Sequence, residues 1–399
     1  MRALGSMAQV NPRPSSVLDD SIEVTFLPMK AVQELSGRID TSDARVVAKV
    51  KKGYTSFQEN DVLFAKITPC MENGKIAIAK DLLNGVGYGS TEFHVLRCSD
   101  ELDPGYLFYY LIRDVFRAEA QRNMSGAVGQ LRVPKRFLEE SPIPFFPLSK
   151  QKRIVAKIEE LFSEIDNAEN ALVGLQISQK TYLQSILKKL YCSNQWEIVK
   201  SGKLFSYVTS GSRGWAKYYS DSDGHPYFIR VTNVNYETID LDMRPEKLKY
   251  VALPTSVEGR RTLIHPEDIL ISITGYVGMV GVVPDEIPEA YISQHISLAR
   301  PIDGVNSKYL AYYLISKAGG LGQLERLQKG ATKAGLTLSD IKNIDVPLAP
   351  REEQDRIVNN IDQAMDGLKS LNESLKALKA TASSLKQSIL SKAFKGELV

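Results

Sequence analysis

The 399-residue chain is 43% hydrophobic and 24% charged, which suits two or three domains with real cores. Its 50 basic and 47 acidic side chains leave a net charge of +3, so a nucleic-acid reader of this composition must gather its cations on one face. No apolar run reaches the length of a membrane span, residues 1–10 lack a signal-peptide stretch, and Cys70, Cys98 and Cys192 are too scattered for a disulfide framework or a zinc site. The expectation is a cytoplasmic protein with free thiols.

In chain order, Met1-Arg2-Ala3-Leu4-Gly5-Ser6 reads as an expression-vector scar, with Met7 as the natural start. Residues 61–68 form a short β-rich run, and residues 103–119 are helical. Pro142, Pro144 and Pro147 mark an extended approach to a long helix. That helix has apolar positions at Ile154, Ile158, Leu161, Ile165, Ala168, Leu172, Leu175, Tyr182 and Ile186, interrupted at Gln179. Residues 227–234 and 268–274 are again β-rich, and 307–316 helical. Residues 345–350 repeat the extended approach. A second long helix carries Ile357, Ile361, Ala364, Leu368, Leu371, Leu375, Leu378, Ala382, Leu385 and Ile389.

These elements are one design written twice. Tyr106-Leu107-Phe108-Tyr109-Tyr110-Leu111-Ile112 recurs as Tyr309-Leu310-Ala311-Tyr312-Tyr313-Leu314-Ile315, 203 positions later. Gln151-Lys152-Arg153-Ile154-Val155 recurs as Gln354-Asp355-Arg356-Ile357-Val358, and Gln184-Ser185-Ile186-Leu187 as Gln387-Ser388-Ile389-Leu390, at the same offset. Asp61-Val62-Leu63-Phe64 faces Asp268-Ile269-Leu270-Ile271 at offset 207, because loops tolerate changes of length. The apolar positions alternate four and three, the spacing of a helix–helix seam. Its predicted members are Ile158, Leu161, Ile165, Leu172, Leu175, Ile361, Leu368, Leu371, Leu375 and Leu378. The predicted fold is α+β: two similar mixed α/β domains separated by two long helices in an antiparallel coiled coil with pseudo-two-fold symmetry. Each helix would extend roughly 55 Å at 1.5 Å per residue.

Several stretches resemble the specificity subunits of type I restriction–modification systems. They include Arg261-Thr262-Leu263-Ile264-His265-Pro266-Glu267-Asp268-Ile269-Leu270, Ile292-Ser293-Gln294-His295, Gly330-Ala331-Thr332, residues 336–341 and 344–350, and the ending Ser388-Ile389-Leu390-Ser391-Lys392-Ala393-Phe394-Lys395-Gly396-Glu397-Leu398-Val399. The resemblance implies target-recognition domains at 1–148 and 193–348, each followed by a spacer helix, at 149–192 and 349–399. It implies two methyltransferase partners and, through them, restriction/translocase subunits. S-adenosylmethionine, ATP and Mg2+ belong on those partners, with no cofactor in this subunit. The second unit opens with Trp196-Glu197-Ile198-Val199 and Gly202, while the first lacks a visible counterpart. Its opening strand is expected to be missing or supplied by the C-terminal tail.

Base edges are read by Arg, Lys, Asn and Gln, whereas phosphates take any donor. The candidates in the first unit are Lys51, Lys52, Tyr54, Lys66, Lys75, Arg122, Asn123, Arg132 and Lys135. In the second they are Ser212, Arg213, Trp215, Lys217, Tyr218, Arg230, Asn233, Asn235, Arg260, Arg261, Tyr276 and Lys333. Trp215 reads equally as a DNA-facing loop residue or as core. No phosphate loop, methyltransferase motif or nuclease carboxylate set is visible, which points to a DNA-reading adaptor with no catalytic or metal-binding residues. The rival expectation is a scaffold that organises proteins without reading DNA.

Overall fold

Both heptad stretches form single helices of 45 residues, Leu148–Cys192 and Arg351–Lys395. The computed structural model describes residues 1–13, 18–127, 129–192, 196–221, 223–254, 260–329 and 335–399. It divides into two compact units that share both helices, one of residues 1–171 with 376–399, the other of residues 172–375.

The first unit holds two four-stranded sheets. One is wholly antiparallel, in the order Ala8–Val10, Phe93–Cys98, Val62–Ala65, Ile76–Ile78. The other runs Ala44–Val46, Glu23–Leu27, Val86–Gly89, Thr55–Gln58, and its middle pair is parallel. The second unit repeats the antiparallel sheet as Phe205–Ser210, Ile296–Pro301, Ile269–Ser272, Val280–Val282. It repeats the parallel pair as Tyr227–Ile229 beside Ala290–Ile292. Strands Val62–Ala65 and Ile269–Ser272 are buried at every position, which is why they read as continuous apolar runs.

Side-chain hydrogen bonds tie each sheet region to a long helix in the same way twice. Asp103 caps helix Pro104–Leu111 by accepting from the Tyr106 N–H, and Asn306 caps Ser307–Leu314 by accepting from Tyr309. Behind each cap lies a buried glutamine. Gln151 accepts from the Asp103 N–H at 2.9 Å and donates to the Phe146 carbonyl at 2.8 Å. Gln354 accepts from Asn306 at 2.9 Å and donates to Ala349 at 2.8 Å. The Tyr106 and Tyr309 hydroxyls donate to the carbonyls of Pro144 and of its repeat counterpart Pro347, respectively. In the first unit Phe394, near the end of the second helix, packs on Tyr106 and Tyr110 with ring centres 4.8 and 5.2 Å apart. In the second unit Tyr191, at the end of the first helix, packs on Tyr309 and Tyr313 at 5.0 and 5.3 Å.

Two sequence expectations change here. The opening strand of the first unit is present but short: Arg2–Ala3 pairs with Pro142–Ile143, as Glu197–Lys200 pairs with Asp345–Leu348. Leu4 is fully buried, and a Cβ added at Gly5 would meet Glu139 as one at Gly202 would meet Lys342, both at 3.0 Å. Arg2, Ala3 and Leu4 are therefore built into the first unit, two through strand pairing and Leu4 through its core. Ala393 and Phe394, at the end of the second helix, enter this core, and the C-terminal tail packs against it through Leu398 and Val399.

The second change concerns the seam. Ile158, Ile165, Ile361 and Leu375 are buried, and Leu161, Leu172 and Leu368 are half-buried. Leu175, Leu371 and Leu378 are instead 48%, 40% and 52% exposed, as are Tyr182 at 55% and Leu385 at 49%. After Leu172 the covered positions of the first helix include Gln176, Leu183 and Leu187, each one residue later than a strict heptad position, as well as Gln179 on the heptad itself. A straight helix has 3.6 residues per turn, so an apolar row spaced by 3.5 drifts off the contact face. In the first unit the helix segments run antiparallel: Lys386 bridges Asp166 and Glu169 at 2.7 Å each, while Gly396 lies against Phe146.

Candidate nucleic-acid interface

In each unit three loops meet at the same end of the antiparallel sheet, held by matching backbone hydrogen bonds. In the first unit the Lys66 N–H donates to the Glu92 carbonyl at 2.9 Å, and the Val133 N–H donates to the Lys66 carbonyl at 2.9 Å. In the second the Ile273 N–H donates to His295 at 2.9 Å, and the Leu336 N–H donates to Ile273 at 2.8 Å. Isolated bridges complete the match, Ile67 with Arg132 and Thr274 with Gly335. The frame is thus duplicated, and its side chains are not.

The junction of the first unit is charged. Arg132 donates to both Glu92 carboxylate oxygens at 2.9 Å and to the Gln130 carbonyl at 3.1 Å. Hydrogen bonding from Arg132 holds the Glu92 carboxyl below its ordinary range, and the charge of Lys66 adds to this. Beneath the loops His94 is buried, with Nε2 at 2.8 Å from the Val133 carbonyl and Nδ1 at 3.0 Å from the Asn11 side chain. Burial pushes its pKa down, ahead of the Val133 carbonyl, which favours the cation, and Lys66 and Lys135 push it down further. The junction of the second unit carries polar, mostly uncharged groups: Thr274 Oγ1 at 2.5 Å from His295 Nδ1, and Gln294 Nε2 at 3.1 Å from His295 Nε2. Tyr276 stands 71% exposed on the adjoining turn between Gly275 and Gly278, both at positive φ.

The candidates are spread over several places in each unit. Lys66, Arg132 and Lys135 lie at the first junction and Tyr276 at the second; Lys135 also bridges Glu139 at 3.2 Å. Arg122 and Asn123 end helix Asp114–Arg122, where Asn123 donates to the Glu119 carbonyl at 2.9 Å. Lys51, Lys52 and Tyr54 lie between helix Val47–Val50 and strand Thr55–Gln58 of the mixed sheet. There Lys51 bridges Asp20 and Tyr54 packs edge-on against Phe26 at 4.9 Å. Lys75 is half-buried and donates to Met29 at 3.3 Å. In the second unit Arg213 and Lys217 are exposed, Lys217 lies 4.9 Å from the Tyr218 ring, and Arg261 donates to Thr209 and Ser210. Lys333 lies outside the described residues, as does the side chain of Arg260.

Five candidates are held in the core, bridges and turns of the second unit. Trp215 is 4% exposed, stacked on Phe228 at 5.8 Å and edge-on to Tyr291 at 5.5 Å, so the core reading holds. Ser212 is buried and bridges Ser293. The packing requires the glycine before it, since a Cβ at Gly211 would lie 2.1 Å from the Ser293 carbonyl. Arg230 donates to the Lys247 carbonyl at 3.1 Å. Asn233 is 1% exposed and bonded to Asp242 at 2.9 Å, and Asn235 accepts from the Glu237 and Thr238 N–H groups at 2.8 Å in a turn. Sequence reasoning missed Glu92. The repeat offset of 203 could have flagged it, because it places a glutamate opposite His295.

Among the described residues no cluster of three His, Cys, Asp or Glu is placed to hold a metal ion, and no helix is long and apolar enough to cross a membrane. The profile of the family described as type I restriction modification DNA specificity domain matches residues 1–174 and 195–380. Over 182 residues the chain is 41% identical to the type I restriction enzyme EcoAI specificity subunit of Escherichia coli, a match covering 44% of this chain and 30% of that protein. It is 35% identical over 195 residues to the EcoEI specificity subunit of Escherichia coli, covering 49% and 33%. The matched stretches thus span about a third of the length of these relatives. A solved structure concerning complex assembly and conformational transition of the type I R-M system superposes with a TM-score of 0.79 at 22% identity, covering 99% of this chain and 97% of that one. The HsdS subunit from Thermoanaerobacter tengcongensis does so with a TM-score of 0.56 at 23% identity, covering 99% and 96%. At these identities the likeness is one of fold.

Proposed function

The chain belongs to the type I restriction–modification DNA specificity family, and on that footing we propose that it reads a bipartite, asymmetric DNA site, one half per unit, for a methyltransferase and restriction complex. The observation that carries this reading is the duplicated three-loop junction. Two units that share a backbone frame and differ in the side chains mounted on it suit two different short half-sites. The chain is a non-catalytic adaptor in this reading. S-adenosylmethionine, ATP and Mg2+ are bound by the partners, and the complex works in the cytoplasm.

Recruitment of two methyltransferase subunits is supported by the exposed apolar rows on the long helices. Leu175 and Tyr182 stand at the same repeat positions as Leu378 and Leu385, and all four are about half exposed. Side chains of this kind at seven-residue spacing fit an apolar stripe of a partner helix. A repeated row offers such a stripe twice.

The test is a selection. This chain and its methyltransferase partner are mixed with a randomised duplex library, and bound DNA is sequenced. Two half-sites at a fixed gap are expected. No enrichment by an assembled complex would replace this reading with a scaffold that does not read DNA.

A further inference from the structure

The Glu92–Arg132 pair has a geometry that a purely structural ion pair does not need. Arg132 offers five N–H groups. Glu92 takes the one on Nε and one on Nη2, and the Gln130 carbonyl takes one on Nη1. One N–H is left on each terminal nitrogen, on a side chain still 41% exposed. A guanidinium gripped from one side by a carboxylate is fixed in plane, with its remaining donors held in a known direction. Two such donors match the O6 and N7 acceptors of guanine on the major-groove edge. Preorganisation removes the rotamer cost that a free surface arginine would meet on binding.

The surroundings fit the same ligand. Lys66 is close enough to bear on both Glu92 and His94, and Lys135 on His94, so cations for phosphate flank the pair. Among the described residues the second unit has the frame without this ion pair. Gly335 stands at the bridge position of Arg132, and His295 stands where Glu92 does.

We propose that Arg132, held in plane by Glu92, reads a guanine in the half-site recognised by the first unit, and that the second unit, lacking this pair, reads its half-site by other contacts. The proposal rests on the DNA-reading function above. It assigns Arg132 as a specificity-determining residue and Glu92 as its positioning residue.

The experiment compares wild type, Arg132→Ala, Arg132→Lys and Glu92→Gln, each assembled with the methyltransferase partner, on a randomised duplex library at fixed salt. Arg132→Ala is expected to lose preference for guanine at one position of one half-site by roughly 10- to 100-fold, with the other positions intact. Arg132→Lys keeps the charge but not the fork, so it should restore affinity without restoring discrimination. Glu92→Gln should weaken discrimination at that same position. Retention of the other half-site reports that each variant is folded and assembled. An unchanged motif in Arg132→Ala, or a uniform loss across all sequences, would overturn the assignment while leaving the bipartite reading in place. A wild-type complex that enriches nothing would overturn both.

Discussion

Asp61 and Asp268 sit opposite Arg97 and Arg300 across neighbouring antiparallel strands, and each carboxylate takes two hydrogen bonds from its guanidinium at 2.7–2.8 Å. Asp268 is fully buried and Asp61 nearly so, and each also accepts from a backbone N–H, of His265 or Gln58. Removing the arginine leaves a buried charge without its partner. Arg300→Ala is expected to destabilise the second unit by about 3 kcal/mol, and Arg97→Ala the first by a similar amount, as measured by urea unfolding. The aspartates were visible in sequence as the first residues of two matching apolar runs. Their arginines were not, because a cross-strand partner is fixed by register and lies beyond a local pattern. His94 was hidden for a similar reason. Its pKa is depressed in the folded state, so the unfolded chain binds the proton more readily. Stability then rises with pH until the ordinary value of 6.5 is passed, and is lost as pH falls below it. The second unit has Ser297 at the corresponding position, so acid destabilisation from this source should be confined to the first unit. Hydrogen exchange of the two units at pH 7.5 and pH 5.5 tests this, and equal acid sensitivity with and without His94→Gln would refute it.

The long helices were the most legible elements, and their contact face the least. Four-three spacing marks an apolar surface but cannot tell a row facing the unit from one facing solvent when a helix carries both. Leu375 and Leu378 make the distinction concrete, being three residues apart and 1% and 52% exposed. Leu375→Asp buries an unpaired charge and is expected to cost several kcal/mol. Leu378→Asp should change stability by less than about 0.5 kcal/mol and yet weaken copurification of the methyltransferase. Thermal melts with a pull-down separate the two, and equal melting of both variants would mean that the exposed row is structural. Gln179 is why the series is broken in sequence. It occupies a half-buried position of the first helix where an apolar residue would be expected, and a polar residue on such a face limits register at some cost in stability.

At the scale of the molecule the repeat is the organising fact, and it was readable because helix-borne segments keep a constant offset while loops drift. The residues proposed to face DNA were harder to read: the orientation of a surface arginine is set by carbonyls and carboxylates near and far in sequence, as that of Arg132 is by Gln130, two residues away, and by Glu92 on another loop. The spacing of the half-sites follows from helix length under the proposed function. Seven residues add two turns and about 10.5 Å to a helix at 1.5 Å per residue, close to the rise of 3 base pairs of DNA at about 3.4 Å each. Whole heptads also keep the rotational phase of the apolar positions to within about 20°. Insertion between Leu172 and Gln176, together with the equivalent insertion between Leu375 and Lys379, should therefore widen the gap selected from a randomised library by about 3 base pairs. Both half-site sequences should stay unchanged. Insertion in one helix alone leaves the other unmatched in length, and should impair folding without producing a new gap. If the double insertion folds and selects the original gap, the helices do not set the spacing, and the ruler must be sought in the partner subunits.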